Sequence, residues 1–339
     1  MPKYRFNNID NVSTDKTLKQ FRQWREERRR KIKDYSFTVP FHTADVEFLH
    51  GNREETTMTW IGHSTFLIQY LGLNIVTDPV WAERMALNRR LARPGIPIQD
   101  VPPLDVILVS HSHYDHMHIN SLRKLYSAKT QLIVPSGLKS KMIRKGFHNC
   151  VELNWWEHVM IGGVRISFVP AQHWTRRTLT DTNTSHWGGY VLESGKHLPS
   201  HGRILQNEGS EAEEPVPPTL YFVGDTGFFR GFKDIGERFD IDVTLMPIGA
   251  YEPEWFMTSQ HVTPEEALQG FLDTGSELMV PMHYGTFKLA DDTPKEALDR
   301  LEAERKRLGI ARKRIRVLGH GEMLRIENRK VKAGSLSWK

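Results

Sequence analysis

Cysteine is almost absent: Cys150 is the only one among 339 residues. An intramolecular disulfide and a thiolate zinc site are therefore excluded, and Cys150 reads as a small apolar filler. Long hydrophobic runs are lacking too. No stretch of about 18 apolar residues occurs, so no membrane-spanning helix is expected. The opening MPKYRFNNIDNVSTDK has no apolar segment of the kind a secretory signal needs. A cytoplasmic protein that is not secreted is expected, with peripheral membrane contact open.

Net charge is scarce outside one place. Asp15 to Asp34, DKTLKQFRQWREERRRKIKD, carries nine basic and four acidic residues, an excess equal to the +5 of the whole chain. Leu18, Phe21 and Ile32 would share one helix face there, with Trp24 at its edge. Such a face suits an anionic lipid surface or nucleic acid. The plainer reading is a solvated charged helix on the domain, and no nucleic-acid partner is expected. Residues 1–50 are read as a basic N-terminal arm packing on one hydrolase domain over 51–330.

From Thr56 the pattern becomes β-rich. TTMTW, FLIQY, LNIVT, DVILVS, QLIV, VRISFVP, GYVLES, TLYFVG, DVTLMP and ELMVPM are short apolar or alternating runs of strand type. Thr263-Pro264-Glu265-Glu266 and Thr293-Pro294-Lys295-Glu296 each place a capping threonine, a first-turn proline and a glutamate three residues on. Gly309 would end the second helix. Strands alternating with helices predict an α/β chain. Residues 199–218, PSHGRILQNEGSEAEEPVPP, read as a long flexible loop.

VSHSHYDHMH, residues 109–118, is where chemistry concentrates. His111 and His113 are two apart just after an apolar strand, so they project to one side of extended backbone. Asp115 and His116 follow where a helix begins. Imidazole and carboxylate are ligands for zinc and similar divalent ions, and two pairs of them on one turn suggest two ions. Four polar groups beside a buried strand would otherwise cost several kcal/mol. His173, Asp225 and His283 also follow apolar strands, where open α/β sheets present their sites. Taken singly, each would be read as a surface histidine or a turn aspartate.

The H-x-H-x-D-H motif with those three later residues resembles the metallo-β-lactamase fold superfamily, over roughly Met58 to Ile326. The stretches MTWIGHSTFLIQ, LTDPVW, QHWTRRTLTDTN, GDTGFF, PIGAYEPEWFM, QHVTPEEA and HYGTF narrow the resemblance to the N-acylphosphatidylethanolamine-hydrolysing phospholipase D branch. It implies a four-layer αββα sandwich with a dinuclear, zinc-type site. His111, His113 and His173 would hold one ion, Asp115, His116 and His283 the other, and Asp225 would bridge them. Asp78 would orient a ligand histidine. His261 would contact the substrate phosphate or leaving group, with Gln260 beside it. His118, where this branch often has aspartate, reads as a surface or supporting residue.

The implied reaction is hydrolysis of N-acylphosphatidylethanolamine to N-acylethanolamine and phosphatidate by water activated on the metals. The alternative is a lactonase, or another phosphodiesterase, acting on a small polar metabolite. Trp174, Trp255 and Phe256 are candidates to line an acyl pocket, although tryptophans near a motif often belong to the core. Arg176 and its neighbour Arg177 would meet phosphate or form a structural ion pair.

Overall fold

Along Phe66-Leu67-Ile68-Gln69-Tyr70 the side chains divide by alternation. Phe66, Ile68 and Tyr70 enter one core and Leu67 another. The same division recurs at Val106, Leu108 and Ile133 against Ile107, Leu132 and Val134. A strand that feeds two cores is covered on both faces, so the sheet it belongs to must be a middle layer.

The structure is a computed structural model describing residues 4–197, 216–327 and 330–331. The loop expected over 199–218 lies outside the described residues except for 216–218. In chain order the strands are β1 (Thr56–Gly62), β2 (Thr65–Tyr70), β3 (Leu73–Thr77), β4 (Arg84–Met85), β5 (Asn88–Arg89), β6 (Val106–Leu108), β7 (Gln131–Pro135) and β8 (Cys150–Leu153). They continue with β9 (His158–Ile161), β10 (Val164–Val169), β11 (Gly189–Ser194), β12 (Leu220–Phe222), β13 (Val243–Pro247), β14 (Leu278–Met282), β15 (Met323–Glu327) and β16 (Lys330–Val331). The helices are α1 (Leu18–Arg30), α2 (Val46–Gly51), α3 (Ile119–Leu125), α4 (Lys139–Ile143), α5 (Gly231–Arg238), α6 (Glu254–Met257), α7 (Pro264–Asp273) and α8 (Pro294–Arg307).

Two sheets result. The first runs β16-β15-β1-β2-β3-β6-β7-β8 and the second β14-β13-β12-β11-β10-β9. Their facing sides share one core, with Trp60, Phe66 and Leu108 from the first and Phe168, Tyr190 and Phe222 from the second. On its outer side the first sheet packs against α2, α3 and α4 through Leu49, Leu122 and Met142. The second packs against α5, α7 and α8 through Phe232, Phe271 and Leu301. This is the expected αββα sandwich. Within it β3, β6, β7 and β8 run parallel, as do β12, β13 and β14. Their C-terminal ends open along one edge.

The capping signals act as read. Thr263 Oγ1 accepts from the Glu266 amide at 3.2 Å, and Glu266 Oε2 accepts from the Thr263 amide at 2.9 Å. Thr263→Ala should therefore cost about 1 kcal/mol, read as a lower urea midpoint with an unchanged slope. Thr293 caps α8 in the same way, through the Glu296 amide.

The basic segment differs in detail from its reading. Its helix α1 stops at Arg30, so Ile32 does not lie on it and is fully exposed; Leu18 is exposed as well. The contact face is Phe21 and Trp24, whose rings meet Phe256 at centroid distances of 5.3 and 5.4 Å. Part of the positive charge is taken up by the domain itself. Arg28 pairs with Asp291 at 3.1 Å, Lys31 with Glu252 at 3.1 Å, and Lys33 with Glu296 at 2.8 Å.

Candidate metal centre

The turn after β6 is built around one buried carboxylate. Asp78 follows β3 and is inaccessible to solvent. Its Oδ1 accepts from the Ser110 amide at 2.6 Å, and its Oδ2 accepts from Ser110 Oγ at 2.5 Å and from His116 Nδ1 at 2.7 Å. Ser110 Oγ, having given its proton to Asp78, accepts from His111 Nδ1 at 2.9 Å. His173 Nδ1 donates to the Gln260 carbonyl at 2.9 Å. Each of these bonds fixes a tautomer, leaving a lone pair on the Nε2 of His111, His116 and His173. Arg177 closes the turn from outside: its guanidinium donates to the carbonyls of Ser112 at 2.8 Å and Met117 at 2.9 Å.

Two donor sets face each other. In the first, His113 Nδ1 lies 2.9 Å from His111 Nε2 and 3.2 Å from His173 Nε2. In the second, His116 Nε2 lies 3.3 Å from His283 Nε2 and 3.4 Å from Asp115 Oδ2. Asp225 stands between the sets. Its Oδ2 is 3.1 Å from His116 Nε2 and 3.8 Å from both His111 and His173 Nε2, and its Oδ1 is 3.1 Å from His283 Nε2.

Hydrogen bonds cannot satisfy this arrangement. His111 and His173 both aim lone pairs at His113 Nδ1, which has at most one proton to give. Asp225 Oδ1 is buried without a hydrogen-bond partner. Among the described residues no lysine or arginine pairs with Asp115 or Asp225; only imidazoles do. A divalent cation meets all three needs. Ligand nitrogens about 2.0–2.1 Å from zinc in a tetrahedron lie about 3.3–3.4 Å apart, and both sets have that spacing within a few tenths of an ångström.

Charge states agree. Burial holds His111 and His173 well below the usual imidazole range and His113 at about 4. Burial alone would raise Asp115 and Asp225, yet His116, foremost among the imidazoles around them, holds both well below the usual carboxylate range. Ligation requires neutral imidazoles beside ionised carboxylates; His116 is the exception, for although burial lowers it, Asp225 and Asp115 hold it well above the usual imidazole range, and a cation bound there displaces its proton.

Four of the donors, His113, Asp115, Asp225 and His283, line the floor of a cleft of about 610 Å³. Trp174, Gln260 and His261 line it. His261 Nδ1 has no hydrogen-bond partner, and burial lowers this imidazole to about 4. Its ring lies 5.2 Å from that of His173 and 5.5 Å from that of His283. Arg176, Trp255 and Phe256 are not in the lining. Arg176 is exposed, and it is Arg177 that turns inward. Trp255 and Phe256 sit on α6 and face α1, where Trp255 Nε1 donates to Glu27 at 2.9 Å and Phe256 packs on Trp24. His118 caps α3 through the Ser121 amide at 3.3 Å.

One site residue escaped the sequence reading. His63, buried with φ +54°, places Nε2 3.1 Å from Asp115 Oδ2. Its signal was the G-H-S-T piece between β1 and β2, which alone reads as a turn. Gly249, in PIGAYEP, has a steric reason: a Cβ there would lie 2.2 Å from the His283 carbonyl oxygen.

Comparison with known proteins follows this geometry. The sequence profile of the beta-lactamase superfamily domain matches residues 73–284. N-acyl-phosphatidylethanolamine-hydrolyzing phospholipase D 1 of Caenorhabditis elegans is 33% identical over 270 residues, covering 74% of this chain and 70% of that protein. The mitochondrial N-acyl-phosphatidylethanolamine-hydrolyzing phospholipase D of Saccharomyces cerevisiae is 34% identical over 271 residues, covering 76% of this chain and 54% of that protein. Among solved structures, the metallo hydrolase Igni18 of Ignicoccus hospitalis superposes with a TM-score of 0.57 at 23% identity, over 81% of this chain and 99% of that one.

Proposed function

Because the chain belongs to the metallo-β-lactamase superfamily, in its N-acylphosphatidylethanolamine-hydrolysing phospholipase D-like branch, and is a metal-dependent hydrolase, we propose that it cleaves N-acylphosphatidylethanolamine to N-acylethanolamine and phosphatidate. The observation that carries the reading is the pair of donor sets joined by Asp225 on the floor of a cleft. His111, His113 and His173 would hold one divalent ion and Asp115, His116 and His283 another, with Asp225 shared. Five imidazoles and two carboxylates without a thiolate suit zinc. Bound there, such ions supply Lewis acidity and bring the pKa of water toward neutrality.

The chain's own groups do the rest. Asp225 and Asp115 accept hydrogen bonds from the attacking water and orient its oxygen toward phosphorus. That oxygen forms the new P–O bond, the bond from phosphorus to the ethanolamine oxygen breaks, and the water's proton leaves with the N-acylethanolamine. His261, with one ring nitrogen free of partners, donates to a phosphate or leaving-group oxygen. Met85, Met257 and Leu289 give the cleft apolar walls, where each buried acyl methylene contributes about 0.8 kcal/mol. Lipid is taken from a membrane surface by a chain in which, among the described residues, no helix is long and apolar enough to cross a membrane.

The test is incubation of purified, zinc-loaded protein with N-acylphosphatidylethanolamine in ¹⁸O-water. N-Acylethanolamine should be released and the label should appear in phosphatidate. Absence of turnover at a zinc content of two per chain sinks the lipid reading. Turnover of a lactone instead would establish the alternative.

Arg84 gives a sharper prediction. It is the only lysine or arginine in the cleft lining, it is exposed, and its side chain has no ion pair or hydrogen bond among the described residues. Arg84→Gln should raise KM for an anionic phosphodiester by about tenfold with kcat unchanged, the pattern for binding shared equally by ground and transition states. An unchanged KM refutes this role.

A further inference from the structure

We propose that Asn8, far from the metal motif in sequence, is a positioning residue for His173. The proposal rests on the reading of His173 as a metal ligand. Asn8 is 8% exposed. Its Oδ1 accepts from the His173 backbone amide at 2.9 Å and from the Trp187 indole at 3.0 Å. Both partners are obligate donors, so the atom they share must be the amide oxygen. The other end of the same amide donates to the Val12 carbonyl at 3.0 Å, so both ends of the side chain are engaged.

The place it occupies matters. His173 hangs on the segment between β10 and β11, residues 170–188, which forms no regular element. Regular strand pairing cannot set its main chain, so other bonds must. Trp187 Nε1 also donates to Ala171 O at 3.1 Å. Asn8 thus joins the two ends of this segment, beside His173 and at Trp187. The His173 ring is held at Nδ1 by Gln260 O, and Asn8 holds the backbone behind it. Ring and main chain together fix where Nε2 points.

Asn8 is itself held in place. Phe6 stacks on His186 at 4.3 Å, with the rings 20° apart, and its amide donates to Asn183 O at 2.8 Å. Further along, Lys16 Nζ donates to Ser259 Oγ at 3.1 Å, next to Gln260 and His261. The stretch from Phe6 to Lys16 is a strap across two segments that supply the metal centre. The strap lies outside the region 73–284 matched by the superfamily profile, whereas all seven donors lie within it.

Cobalt(II) loading of the metal-free full chain tests this, since its visible bands report ligand geometry without turnover. Asn8→Ala should weaken one of two cobalt ions by about 10- to 100-fold, the usual cost of losing a group that orients a ligand, and alter the bands. Asn8→Asp, which keeps the oxygen acceptor, should bind both ions as wild type does. Asn8→Ala that binds both ions with unchanged affinity and bands, whether or not it melts lower, overturns the proposal. Should that variant not fold, amide exchange in the wild type decides. A His173 amide protected as well as those of β10 supports the proposal, and one exchanging like a free loop amide overturns it. Wild-type protein that takes up no cobalt overturns the metal reading and this inference with it.

Discussion

Asp225→Asn is expected to lower kcat/KM for hydrolysis by about a thousandfold, which is about 4 kcal/mol of transition-state stabilisation, and to leave the fold intact. Asp225 lies within 3.8 Å of donors in both sets. Asparagine has the same shape and reaches the same places, but one of its two ends is an NH₂ group. That end would point protons at His116 or at His283, where lone pairs already converge, and it cannot share a cation. The negative charge that would balance divalent ions in a buried site is lost as well. Elemental analysis should show fewer than two ions per chain, while circular dichroism stays unchanged. Wild-type activity at full metal content would remove Asp225 from its proposed role.

Asp78→Asn should cost about 10- to 100-fold in metal affinity and destabilise the protein, although Asp78 touches no substrate. Its carboxylate accepts from Ser110 N, Ser110 Oγ and His116 Nδ1 within 2.5–2.7 Å. An asparagine can present only one acceptor oxygen to these three donors. If its oxygen stays with the Ser110 amide, an N–H meets His116 Nδ1–H. The imidazole must then turn or move its proton to Nε2, the atom that faces His283 and Asp225. Burial raises the Asp78 pKa, and the bonds from His116 and Ser110 act against it. Competition with a chelator and thermal melting at two zinc concentrations read both effects. Equal affinity in mutant and wild type would reduce Asp78 to a turn residue.

These two residues differ in how visible they were. Asp225 sits in G-D-T-G after an apolar strand, and the strand-end rule placed it. Asp78 sits in T-D-P, and only the resemblance raised it above a turn former. His63 and Asn8 gave less. G-H-S-T reads as a bend between two strands, and an asparagine in a polar N-terminal stretch reads as nothing at all. Their partners lie 52 and 165 residues away, and local spacing carries no information over such separations.

The same limit explains the aromatics. Trp174, Trp255 and Phe256 are equally plausible wall residues by composition. The cleft takes Trp174, while Phe256 is buried against α1 and Trp255 stays exposed with its indole bonded to Glu27. Which apolar side chain meets a ligand depends on which face the rest of the chain leaves open. The Arg176–Arg177 pair divides likewise. Arg177 found three carbonyls of the metal turn, those of Ser112, His113 and Met117, and Arg176 found solvent.

By itself the sequence determined the strand run from Thr56, the two capped helices α7 and α8, the donor types and their place at strand ends. These follow from period-2 alternation, end capping and ligand chemistry, all of which act within a few residues. Tertiary structure decided the rest: that seven donors separate into two facing sets, that His63 stands behind Asp115, and that an N-terminal asparagine holds the backbone of His173. Those facts arise along one edge of two sheets packed face to face, where a strap crosses, and only the packed chain brings such distant residues within hydrogen-bonding distance.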